Sequence, residues 1–346
     1  MKPGIFGKKN GFLVADVVFL YSHIQKLFLH ANFIAGRGRP MGAVLAKSSS
    51  FLFILAAGYL LKRFGVFGKK DYAVLSKVVL NLTLPAAVIT NFAAMEWSAQ
   101  LLLIPVLAFL LNWLMMGVGL LASRRQAAPT RALFVLNCPG YNIGAFALPF
   151  VQSFLGPQAV VGACLFDVGN AIMCTGGSYA FTSAWLRAGG QRLSVRDAAR
   201  RLFSSVPFDT YLAMLVLVVA GVAIPQGAVD FISPIAAANP FVAMLMVGMM
   251  FEVDLKPGYL RQMGLVLALR LGSAVLLAVA MYQLLPFSLP IRQVLAVMVF
   301  APASVIAPAF TVKCGGDAGL AGCLNSLTIL AGILGMLCTI LVLGVA

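Results

Sequence analysis

Charge is scarce in this chain, and acidic charge scarcest: of 346 residues only 10 are Asp or Glu and 2 are His. So few titratable groups argue against chemistry built on paired carboxylates or a histidine base, and both histidines, His23 and His30, fall near the amino end. No HExxH, GxSxG or Walker pattern occurs, and no polar stretch is long enough for a nucleotide-binding domain, so an enzyme is not expected. The six cysteines (Cys138, Cys164, Cys174, Cys314, Cys323, Cys338) lie in or beside apolar stretches without metal or redox spacing. They read as packing thiols, and neither a metal nor a cofactor is expected.

What is abundant is apolar sequence. The chain is 61% hydrophobic with a mean hydropathy of +0.98, outside the range of soluble domains. Ten apolar runs stand at 48–62, 73–93, 98–122, 131–154, 158–186, 206–224, 231–251, 262–285, 290–312 and 318–345. All but the short first are long enough to cross a hydrocarbon core of about 30 Å as helices. They are continuous rather than alternating, which does not fit a membrane barrel. The expectation is an all-α integral membrane protein with ten transmembrane helices in a lipid bilayer.

The net charge of +15 does not point to nucleic acid, because the basic residues are spread between the runs. The odd-numbered loops carry Lys62, Arg63, Lys69, Lys70, then Arg124, Arg125, Arg131, then Arg187, Arg192, Arg196, Arg200, Arg201, then Lys256, Arg261, then Lys313; the even-numbered loops carry little but Arg292. Cationic loops stay cytoplasmic, so the odd loops are expected inside an inner cell membrane and both ends of the ten-run core outside.

Residues 1–46 break this pattern with Lys2, Lys8, Lys9, Lys26, Arg37 and Arg39. Residues 12–35 are apolar but hold His23, Gln25, Lys26 and His30, which fits an interfacial helix, an eleventh span, or sequence upstream of a start at Met41. The last is favoured, since the sequence from Met41 reads as a natural beginning and no small-residue cleavage site follows the apolar part.

The most polar interior stretch, "RAGGQRLSVRDAARRLFSS", Arg187 to Ser205, divides the ten runs five and five. A repeat with an odd number of spans re-enters the membrane in the opposite sense. The chain therefore reads as inverted repeat one (47–186), a linker (187–205) and inverted repeat two (206–346). The fourth run, "NCPGYNIGAFALPF", and the ninth, "FAPASVIAPAFTVK", are interrupted in corresponding places, at Pro139 with Gly140 and at Pro302 with Pro308. A glycine-containing turn and a run with a Cys–Leu pair, Cys164–Leu165 and Cys323–Leu324, follow each. Proline removes a helical donor and clashes with the preceding turn. The carbonyls it strands must be buried in protein or line a wet cavity, while the next half-helix points N–H groups at the break, which suits an anion such as a carboxylate.

"NLTLPAAVITNF", "NCPGYNIGAFALPF", "NPFVAMLMVGMMFEV" and "APASVIAPAFTVK" make residues from about 41 to 346 resemble the auxin efflux carrier family, in its bacterial permease branch. In the plant carriers an asparagine precedes a proline by seven positions in the fourth span, as Asn142 precedes Pro149 here. Their ninth span has two prolines and a downstream lysine, matched by Pro302, Pro308 and Lys313 with a gap one residue longer; no asparagine stands at that break, where Ser304 and Val305 lie. The long cytoplasmic loop of the plant carriers is absent.

The resemblance implies two inverted five-helix repeats with broken, crossing helices 4 and 9, a fold shared with bile-acid symporters and sodium/proton antiporters. It also implies a scaffold of spans 1, 2, 6 and 7 that forms a homodimer, a moving domain of spans 3–5 and 8–10, and small organic anions such as indole acetate, malate or malonate as substrates.

The substrate-binding candidates are Asn137, Pro139, Gly140, Tyr141 and Asn142 at the first break and Pro302, Ser304 and Pro308 at the second. Asp167 is the one carboxylate well within a run, with Asn170 on the same helix face. It reads either as the group that couples transport to a proton or sodium ion, or as a structural anchor or surface carboxylate. Arg270, some nine residues into the eighth run, either neutralises Asp167, meets the anion, or snorkels to the cytoplasmic surface. Glu252 and Asp254 read as interfacial, and Asn81 and Thr83 either line the path or pack between helices. The leading function is a secondary active transporter of a small organic anion working by alternating access; the alternatives are a passive anion channel or uniporter, or a membrane receptor without ion coupling.

Overall fold

The structure is a computed structural model that describes residues 40–68, 70–95, 97–186, 195–251 and 257–344. The extension up to residue 39, with its histidines and lysines, lies outside the described residues, as do Lys69, Arg187, Arg192, Glu252, Asp254, Lys256 and Ala346.

Every one of the ten apolar runs is helical. In chain order the helices are α1 (Pro40–Arg63), α2 (Tyr72–Ala93), α3 (Ala99–Ser123), α4 (Ala128–Asn137), α5 (Ile143–Phe154), α6 (Pro157–Trp185), α7 (Val195–Leu202), α8 (Val206–Val219), α9 (Gln226–Met250), α10 (Leu260–Leu284), α11 (Leu289–Met298), α12 (Ala307–Lys313) and α13 (Ala318–Leu343). Among the described residues there is no strand, and 6 helices (α2, α3, α6, α9, α10, α13) are long and apolar enough to cross a membrane. The fourth and ninth runs are each split in two, α4 with α5 and α11 with α12. Part of the expected linker is α7, whose Arg196, Arg200 and Arg201 are exposed.

Proline sets many of the boundaries. It opens α4, α6, α8, α11 and α12, where its missing N–H would have had no helical partner anyway. Where proline falls further inside, before Pro85 and Pro149, the preceding turn widens into a π-helix over Val79–Thr83 and Ile143–Ala147, which relieves the clash of the ring with the turn behind it.

Polar side chains are buried within an apolar core, while large apolar ones face outward. Asn112, Asn137, Asn170, Asn239, Thr182 and Thr311 are buried, while Phe231 is 81%, Val342 84% and Leu276 74% exposed. Water would penalise such a surface, whereas lipid does not, and helices in lipid associate through small residues and interhelical hydrogen bonds.

Helices α1, α2, α8 and α9 pack on one another, and α3, α4, α6, α10, α11, α12 and α13 form a second interlocked group. The α1–α9 seam is closed by Gly58 and Gly248: a Cβ on either would run into the backbone carbonyl of the other helix, at Leu245 or Leu55. Loops of like parity meet. Lys62 donates to the Phe251 carbonyl (2.7 Å), Arg131 stacks on Trp185 (4.0 Å) and Lys313 sits over Tyr179 (5.8 Å). At the other parity Lys47 donates to the Ser153 carbonyl (3.2 Å) and Arg292 to that of Tyr282 (3.0 Å).

Candidate functional site

The two interrupted runs meet at their interruptions. After α4 the chain is irregular over 138–142, and after α11 over 299–306. There the segments lie antiparallel, with Tyr141 bridged to Ala303 and the Asn142 N–H donating to the Pro302 carbonyl (2.9 Å). Gly140 makes the approach possible. It has φ +76°, and a Cβ on it would stand 3.3 Å from both Ser304 Cβ and Cys174 Sγ, so neither the backbone conformation nor the space suits a larger residue.

A broken helix leaves stranded backbone groups that need partners when buried. Asn112, from the middle of α3, accepts from the Gly140 N–H (2.8 Å). Asn170, on α6, accepts from the Tyr141 N–H (3.0 Å) and donates to the Tyr141 carbonyl (2.8 Å), closing a two-way clasp. At the second break Thr328, on α13, accepts from the Ala303 N–H (3.1 Å). The sequence reading missed Asn112, Thr328 and Tyr211. For Asn112 the signal was a lone polar group in an apolar run, whereas Thr328 follows Asn325 and Ser326 and Tyr211 follows Asp209 and Thr210, so neither stands out.

Arg270 is only 7% exposed and takes the carbonyls. Its Nη1 lies 2.7 to 3.3 Å from the oxygens of Asn137, Cys138, Pro139 and Gly140, and its Nη2 donates to Ala301 (2.8 Å). This corrects the snorkelling alternative: the guanidinium faces inward because the chain ends of α4 and α11 supply better acceptors than a distant surface. Nor does it neutralise Asp167, since among the described residues no ion pair joins them and both terminal nitrogens are engaged by backbone. The Tyr141 ring covers it at 5.2 Å.

Asp167 sits at the other end of the break. It accepts from Asn170 (2.9 Å), from the Tyr211 hydroxyl on α8 (3.3 Å) and from the Gly144 N–H in the first turn of α5. A carboxylate there meets the positive end of the α5 dipole. Asn137 is fully buried and donates to Leu133 (2.8 Å) and Thr311 (2.9 Å). Ser304 lies against Cys174, and Pro308 opens α12. Asn142 is 8% exposed, and its backbone is bonded on both sides while its amide has no hydrogen bond among the described residues. Away from the crossing, Asn81 bonds to the Lys77 carbonyl (2.9 Å). Thr83 donates to Asn239 (2.9 Å), which in turn donates to Gln152 on α5 (3.1 Å).

The arrangement has one fixed cation against two carbonyl ends, one carboxylate at an N–H end, and an amide without a hydrogen-bond partner among the described residues. Residues 45–188, from α1 to the end of α6, match a family described as membrane transport protein. An uncharacterized transporter of Methanothermobacter thermautotrophicus is 28% identical over 130 residues, 36% of this chain and 43% of that relative's length. The matched family segment contains Asn142 and Asp167 and stops before Pro302 and Arg270. The chain is a multi-pass membrane protein, and its first half is similar to membrane transport proteins.

Proposed function

We propose that this chain is a secondary active transporter of a small organic anion, alternating access around the crossing of α4–α5 with α11–α12. In this reading ten spans form two inverted five-helix repeats, the odd loops face the cytoplasm of the cell that holds it, and α1, α2, α8 and α9 form a scaffold that dimerises. The observation that carries it is the crossing itself. Paired interruptions in two membrane helices are the usual place of a carrier's binding site, and they present half-helix N–H ends and a neutral amide, Asn142, to an anion. An amide donates to a carboxylate without the tight hold of a full ion pair, which suits a substrate that must leave again.

The experiment is flux in proteoliposomes with labelled mono- and dicarboxylates under imposed pH and sodium gradients. A carrier gives saturable uptake and is accelerated by substrate on the opposite side. Flux linear in concentration, with no such acceleration, would make the protein a channel.

A further inference from the structure

We infer that Arg270 is a built-in cation, standing where the crossing of a broken-helix carrier would hold a sodium ion, so that the carbonyl ends of α4 and α11 take up no ion. The inference rests on the transporter reading for its meaning but not for its test. Both half-helices end at the crossing. A helix C-terminus carries about −0.5 of an elementary charge, so two of them together approach −1, which one guanidinium offsets. The oxygens converge as they would on a hard metal cation, which takes backbone carbonyls as ligands.

Four carbonyls share Nη1, which has only two hydrogens to give. This is a charge seated in a cup of oxygens rather than a set of one-to-one bonds. No carboxylate balances it among the described residues, so its counter-charge is the backbone. The guanidinium fills the carbonyl cup, and the void beside it, lined by Leu267, Leu271, Ala274 and Thr328 among others, measures about 10 Å³, at or below what one water needs. A sodium ion there would have to shed its water and sit against a like charge, so any coupling ion is left to Asp167, on the far side of the break.

The test follows melting of the purified full chain in sodium, choline or guanidinium chloride at matched millimolar concentration. Wild type is expected to melt alike in sodium and choline, or to show a sodium response that Asp167→Asn removes. Arg270→Ala is expected to melt lower and to be partly restored by guanidinium but not by choline. A wild-type sodium response that survives Asp167→Asn, or an Arg270→Ala protein indifferent to guanidinium, would overturn the inference. If Arg270→Ala cannot be purified, Arg270→Gln keeps a polar side chain but loses the charge. Its amide hydrogen exchange at 137–142 and 299–304 is then expected to rise about tenfold, and unchanged exchange counts against Arg270. Neither readout involves substrate, so failure of the transport reading leaves both intact.

Discussion

The peptide N–H of Asn142 is bonded to the carbonyl oxygen of Pro302 across 2.9 Å, 160 residues away along the chain. That bond, with the neighbouring Tyr141–Ala303 bridge, ties the two interruptions into one object. A lesion on one segment is therefore felt by the other, whereas the Asn142 amide takes no part in holding them.

The side chain of Asn142 can thus be removed without removing the crossing. Asn142→Ala is expected to weaken substrate binding by about ten- to a hundredfold, the worth of a hydrogen bond to a charged group, with melting unchanged. Asn112→Ala should do the opposite. It strands the buried Gly140 N–H and lowers stability by about 1–3 kcal/mol. Equal affinity in Asn142→Ala and wild type, measured by calorimetry on the identified substrate, would remove the amide from the site.

Asp167→Asn keeps the size of the side chain and its place beside Gly144, Asn170 and Tyr211 but cannot titrate. Accumulation driven by a pH or sodium gradient is expected to be lost, while exchange of substrate for substrate persists in part. A variant that still concentrates substrate in proteoliposomes would take Asp167 out of coupling.

The glycines separate packing from helix propensity. Gly248→Ala puts a methyl into the Leu55 carbonyl and is expected to destabilise by about 1–3 kcal/mol, the usual cost of overpacking. Gly264→Ala on α10 meets nothing within 4 Å and should be neutral or stabilising by up to about 1 kcal/mol, because alanine is the better helix former. Thermal melts of the two variants in one detergent check both signs.

Orientation is tested at α7. Single cysteines in place of Arg196 or Arg200, with the exposed Cys338 replaced, are expected to react with a membrane-impermeant thiol reagent only from the cytoplasmic side. Reaction from outside in intact cells would invert the topology.

Much of this architecture was legible because lipid enforces simple rules. An apolar run of sufficient length becomes a helix, and one interrupted by proline and polar residues, as at Pro139 to Asn142 and at Pro302 to Ser304, cannot remain one. Ends were less so: the sixth run was read to 224, but α8 stops at Val219 because the chain turns at Gly221, with φ +70°. Arg270 was rightly read as deep, yet its partners were hidden, since backbone carbonyls have no sequence signature. Asn112 and Thr328 were passed over for the converse reason. Asn112 is one polar letter among apolar ones, Thr328 stands beside Asn325 and Ser326, and only the fold says which stranded N–H each meets.

The two ways α9 holds its neighbours differ in kind. Against α1 it is keyed by Gly58 and Gly248, a steric fit with no second register: a shift of one residue drives side chains into backbone. Against α5 it is joined through Asn239 and Gln152, with Thr83 behind them, and such bonds can be handed to water or to the next carbonyl at little cost. One seam is a weld and the other a clasp. If the bundle changes shape, it will open along the second.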